Sequence, residues 1–243
     1  MPRAKRPTVR RKATSQPLSV RDHTTIVKAA IANAETLRRL LPATRKPAGT
    51  LVLRTLLKVD SVSARTKDRI QTVLAVVEAL ERLRVRLPAK AAKAVREVSD
   101  QVSAAKSVTE MIRGLKRANA EKRYADVEGM EQGLSLAVGI LEDGLSSIYS
   151  PEYYMSAFGR KGAEDQVVAF SLVGGVAKED AKGAVSGAVV GCATGMAGGT
   201  IALPVVGLAQ ASGCLALGGL GAVGTGVGSS IGAVVGALLD WIF

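Results

Sequence analysis

Aromatic residues make up 3% of this 243-residue chain, histidine occurs once and cysteine twice. With so few rings, the 47% hydrophobic content rests on small side chains, mainly Ala, Val and Leu. Such residues let backbones approach closely but fill little core volume each. A single histidine, His23 at the edge of a basic tail, and two cysteines supply no zinc ligand set, and two cysteines are too few for a disulfide framework. Cys192 and Cys214 lie at unequal distances from the bend expected near residue 208, so both are expected as unbridged thiols packing like small apolar residues. Neither G-x-S-x-G nor the phosphate loop G-x-x-x-x-G-K-[ST] occurs, and no carboxylate pair sits in a pocket motif. Gly219, Gly221 and Gly224 match G-x-G-x-x-G, but no strand-then-helix unit surrounds them. The expectation is a non-enzyme with no catalytic residue, no cofactor and no metal. A secretory signal is also lacking, because no apolar core follows the basic start.

Charge of either sign is missing from Gly183 to Leu239. The remaining charge is unevenly spread: residues 1–58 carry a net +12, residues 59–123 a net +7 and residues 124–182 a net −6. Arg3, Lys5, Arg6, Arg10, Arg11 and Lys12, set among Pro2, Pro7 and Pro17, read as a disordered cationic tail over 1–18. Its partner would be an anion, either nucleic acid or a lipid headgroup.

Apolar residues at spacings of three and four run from residue 19 to 150, the mark of amphipathic helices packed on one another. One stripe is Val27, Ala30, Ala34, Leu37 and Leu41, stopped by Pro42. A short helix over Leu51–Val59 follows, and Ser61 or Ser63 can cap the next, whose stripe runs from Ile70 to Leu87. Val95 through Leu115 read as one long helix, and Val127 through Ile148 as a fifth. Residues 151–182 form an aromatic and acidic connector. Tyr153, Tyr154 and Phe158, with Tyr149 just before them, are expected to cap the bundle, the alternative being the headgroup level of a membrane.

The uncharged region 183–243 has room for two membrane spans of about 20 residues each, placed near 183–203 and 214–239. Pro204, Gly207 and Gly213 mark the turn. Gly183, Gly187, Gly191, Gly195 and Gly199 repeat at every fourth position, as do Gly224, Gly228, Gly232 and Gly236. Residues four apart share a helix face, so each ladder is a groove without side chains into which another helix can settle. Trp241 and Phe243 follow as interfacial anchors. The expected fold is all-α: a bundle of about five amphipathic helices followed by a glycine-zipper transmembrane hairpin.

The stretch Glu179–Phe243, with its G-x-x-x-G ladders and aromatic end, resembles the Gly/Ala-rich bodies of unmodified bacteriocins, and its hairpin form is similar to that of pore-forming colicins. The resemblance covers about a quarter of the chain. It implies a secreted or released, membrane-inserting, pore-forming protein whose partners are a lipid bilayer and further copies of itself. One departure is the long helical region before the tail, where bacteriocins carry a short leader. The rival expectation is a membrane-anchored structural or virion delivery protein with a cytoplasmic, nucleic-acid-binding N-terminal region.

Overall fold

A computed structural model describes residues 18–42, 48–83, 85–198, 200–203 and 208–242, with the backbone alone for 200–203, 208–212 and 237–242. Among the described residues the regular structure is helical except for one two-stranded ribbon. In order, the elements are α1 (Val20–Ala32), α2 (Ala34–Leu40), α3 (Gly49–Leu56), α4 (Ala64–Leu83), α5 (Ala89–Ala104), α6 (Val108–Ala120), α7 (Met130–Leu145), α8 (Pro151–Ala157) and α9 (Ala163–Met196). β1 (Thr200–Leu203), β2 (Leu208–Ser212) and α10 (Cys214–Ile242) complete the chain.

Local side-chain chemistry sets the helix starts. Ser19 and Asp22 form a capping box at α1: the Ser19 hydroxyl accepts from the Asp22 N–H at 3.3 Å, and the Asp22 carboxylate accepts from the Ser19 N–H at 2.8 Å. Ser63 accepts from the Thr66 N–H at 3.2 Å and so starts α4. The single long helix expected over Val95–Leu115 is two helices. Ala105 is extended, Ser107 accepts from the Glu110 N–H, and Glu110 accepts from the Lys106 N–H, so a new helix begins there. The S-x-x-E signature at 107–110 was legible but lay inside an apolar stripe that continues across the break. Asn33 likewise parts α1 from α2, so the described residues of 19–150 hold seven helices in place of about five. The expected connector, 151–182, is helical: Ser150 caps α8 with Pro151 at its first position, and α9 then runs unbroken to Met196.

The core lies where α9 and α10 meet, and they form the largest interface in the molecule. Packed on α10 are α1, α3, α4 and α7, while α5, α7 and α8 pack on α9. Val185, Ala188 and Val189 of α9, Val223, Val227, Ile231 and Val234 of α10, and Ile26, Leu53, Ile70, Leu134 and Ile140 of the surrounding helices are all closed off from solvent. The tyrosines cap this core from the side, with Tyr154 fully buried and set edge-on to Tyr153.

The expected turn takes a different form. β1 and β2 pair antiparallel, with Thr200 opposite Ser212 and Leu203 opposite Leu208. Gly198 and Gly213, both at positive φ, turn the chain into and out of this ribbon.

Candidate functional site

The glycine ladder of α9 is a backbone-to-backbone seam. A Cβ on Gly183 would stand 2.9 Å from the Gly226 Cα and the Thr225 carbonyl oxygen. On Gly187 it would fall onto the Gly221 carbonyl and the Thr225 hydroxyl, on Gly191 onto the Leu217 carbonyl, and on Gly195 onto the Gly213 carbonyl. Each step of four along α9 thus meets a step of four backwards along α10, through Thr225, Gly221, Leu217 and Gly213. Thr225 ties the seam by sharing its one hydroxyl proton between the carbonyls of Gly183 and Gly221, both at 2.6 Å.

The second ladder faces elsewhere. Gly224 lies three residues beyond Gly221, which rotates it about 60° around a helix of 3.6 residues per turn. A Cβ there would meet Val76 and Val77 of α4, and the Gly228 carbonyl lies against Gly49 of α3. Gly232 is half-buried and Gly236 buried. Gly199, Pro204, Gly207, Phe243 and the cations Arg3, Lys5, Arg6, Arg10, Arg11 and Lys12 lie outside the described residues, as does the side chain of Trp241.

Among the described residues one helix, over Cys214–Gly236, is long and apolar enough to cross a membrane, and most of that stretch is buried. The span expected over 183–203 is shorter than the sequence suggested. Its helix ends at Met196, and Lys178, Glu179, Asp180 and Lys182 precede its uncharged part. That leaves 14 helical residues, about 21 Å at 1.5 Å per residue.

Cys192 and Cys214 are joined by a disulfide, which corrects the expectation of two unbridged thiols. The expectation measured depth from residue 208 along two continuous helices. Instead α9 stops at Met196 and the strands β1 and β2 lie between it and α10, so Cys192, about one turn before the end of α9, meets Cys214, the first residue of α10. Gly129, at φ +80°, brings the turn before α7 against this bridge, and a Cβ there would come within 2.7 Å of the Cys192 Cβ.

A buried polar cluster joins the hairpin to its surroundings. His23 of α1, Asp180 of α9 and Ser230 of α10 are fully buried, and Tyr149 is nearly so. His23 Nε2 lies 3.1 Å from Asp180 Oδ1 and 3.2 Å from Ser230 Oγ. Because Ser230 spends its proton on the Gly226 carbonyl, its oxygen accepts from His23, which assigns a proton to Nε2. The His23 Nδ1 has no hydrogen-bond partner among the described residues. The Tyr149 hydroxyl donates to Asp180 Oδ2, and Gly144 makes room for its ring. Burial, then the Asp180 charge, pushes the Tyr149 phenol well above its ordinary value, and the same two causes raise Tyr154.

Serine, histidine and aspartate together invite comparison with a hydrolase triad, but the geometry differs. Hydroxyl and carboxylate share one ring nitrogen, and the serine proton points to a backbone carbonyl. The cluster can clasp α1, α9 and α10 together; it cannot activate the serine in this arrangement. His23 was legible as more than a tail residue, since it stands three and four residues before Ile26 and Val27 on the buried face of α1. Which residues it would meet, so distant in the chain, was not legible. Comparison with family models, curated proteins and solved structures finds no match to this chain.

Proposed function

We propose that this chain is a membrane-inserting, pore-forming protein of bacteriocin-like character, whose helical shell shields the α9–α10 hairpin until it meets a bilayer. The observation that carries this reading is that α10 has two interfaces of different kinds. Toward α9 it is held by close backbone contact and by the hydrogen bonds of Thr225. Toward α4 it is held by side-chain burial, with Val76 and Leu80 against Leu217 and Leu220. Lipid removes the hydrophobic force behind the second interface but leaves van der Waals packing and hydrogen bonds intact. On this basis the hairpin leaves its shell as a unit once the His23 and Tyr149 bonds to Asp180 and Ser230 open, with the disulfide holding its tip.

On the same reading, oligomers form through the second ladder, Gly224, Gly228, Gly232 and Gly236, once α4 no longer covers Gly224. The cations at Arg3–Lys12 draw the protein to anionic headgroups. The test is dye release from anionic and from zwitterionic liposomes by the purified full chain. Leakage at micromolar protein, greater with anionic lipid, is the expected result. Absence of leakage together with absence of flotation with the vesicles would overturn the reading. Flotation without leakage would remove the pore and leave an anchor.

A further inference from the structure

The sulfurs of Cys192 and Cys214 and a carboxylate oxygen of Glu128 all lie within 4.8 Å of one another. They come from three separate parts of the fold: the end of α9, the start of α10 and the turn before α7. In sequence Glu128 is remote from both cysteines, and Gly129 is what seats its turn against Cys192. We propose that these three side chains form a redox-gated site for a thiophilic divalent cation of the zinc class.

The donor set suits that ion. Two thiolates and a carboxylate supply three ligands of types zinc accepts, with water as the fourth. In a tetrahedral site with Zn–S near 2.3 Å the two sulfurs stand about 3.8 Å apart, and the carboxylate oxygen binds at about 2.0–2.2 Å. Rotation of the two cysteine side chains supplies that separation once the disulfide is open. An open cavity of about 530 Å³, lined by Tyr124, Glu128, Glu131, Gln132, Cys214 and Leu215, gives both a reductant and an ion a way in. Glu128 and Glu131 set two carboxylates on the lining of this cavity, which favours cations.

The chemistry balances in two steps. Two equivalents of a low-molecular-weight thiol, RSH, reduce the Cys192–Cys214 bridge to two protein thiols and leave as RS–SR. The divalent cation then replaces the two thiol protons, which go to solvent. The tip of the hairpin is thereby closed in both redox states: by the disulfide in oxidising surroundings, and by the metal where glutathione or thioredoxin would keep the cysteines reduced. This inference does not depend on the membrane reading.

The test uses the full chain, oxidised or reduced with a water-soluble phosphine that is afterwards removed under nitrogen. Each form is titrated with Co²⁺ and then Zn²⁺. The expected result for reduced protein is one Co²⁺ per chain, with a thiolate-to-cobalt charge-transfer band and tetrahedral visible bands that zinc abolishes. Oxidised protein should show neither. Glu128 is exposed, so Glu128→Gln folds, and it should weaken binding by about tenfold or more, since even an outer-shell partner is worth about 10- to 100-fold. Absence of the charge-transfer band in reduced protein, or unchanged affinity in Glu128→Gln, overturns the proposal.

Discussion

Replacing Gly187 by alanine adds one methyl group where α9 has no room for it. In an ordinary helix interior the change is favourable by about 1 kcal/mol, because alanine has less backbone freedom to lose. Here the new Cβ falls onto the Gly221 carbonyl and the Thr225 hydroxyl, so Thr225 must rotate and the helices must also part, because the Gly221 clash is with backbone. Overpacking of this kind costs about 1–3 kcal/mol. Rotation of Thr225 gives up the one hydroxyl proton it shares between the Gly183 and Gly221 carbonyls, worth about 1 kcal/mol net. The expected outcome is a net loss of about 1–3 kcal/mol after the helix-propensity gain. Gly175 lies on the same helix with open space where its Cβ would go. Gly175→Ala should therefore stabilise by about 0.4–1 kcal/mol. The assay is urea unfolding followed by far-ultraviolet circular dichroism, comparing midpoints at equal slope. Opposite signs for two Gly→Ala changes on one helix is the diagnostic result. If Gly187→Ala is as stable as the parent, α9 and α10 do not meet at that residue and the seam is wrong.

The polar clasp gives two further expectations. Tyr149→Phe leaves Asp180 Oδ2 buried without its donor and should lower stability by about 1–3 kcal/mol, whereas Tyr153→Phe, on a half-buried ring, should change little; equal urea midpoints for the two variants would remove Tyr149 from the clasp. Tyr149 and Tyr154 are raised in the folded chain while the unfolded chain titrates near the ordinary value of about 10. Below that pH both states are protonated and the contribution is fully present; as pH rises past it the unfolded state loses protons first, so stability falls toward the raised folded values. Urea midpoints at about pH 9 and about pH 11 measure this. Ionisation of all four tyrosines with helix content intact would show that the two rings are not buried as described.

Much of the secondary structure was legible in the sequence because it depends on near neighbours. Apolar periodicity marked α1, α4 and α7, and the four-residue glycine ladder marked a close-packing face on α9. The breaks were harder: Ser107 and Glu110 end one helix and begin another within a stripe that never loses its period. The ribbon over 200–212 hid for a similar reason, since Ile201, Leu203 and Leu208 suit a strand as readily as an apolar helix and only the glycine turns on either side decide.

Composition and spacing by themselves determined a helical chain with a charged, amphipathic front and an uncharged, glycine-laddered back. Tertiary structure alone decided what each ladder faces. The first is filled by α10, whereas in the second Gly224 meets α4 and Gly228 has open space where a Cβ would go, because stripes about 60° apart on one helix cannot meet the same neighbour. It also decided that Cys192 meets Cys214, and that His23, Tyr149, Asp180 and Ser230 share one buried cluster. Periodicity reports which side of a helix is apolar. The partner on that side is set by how the helices stack, which no local pattern encodes.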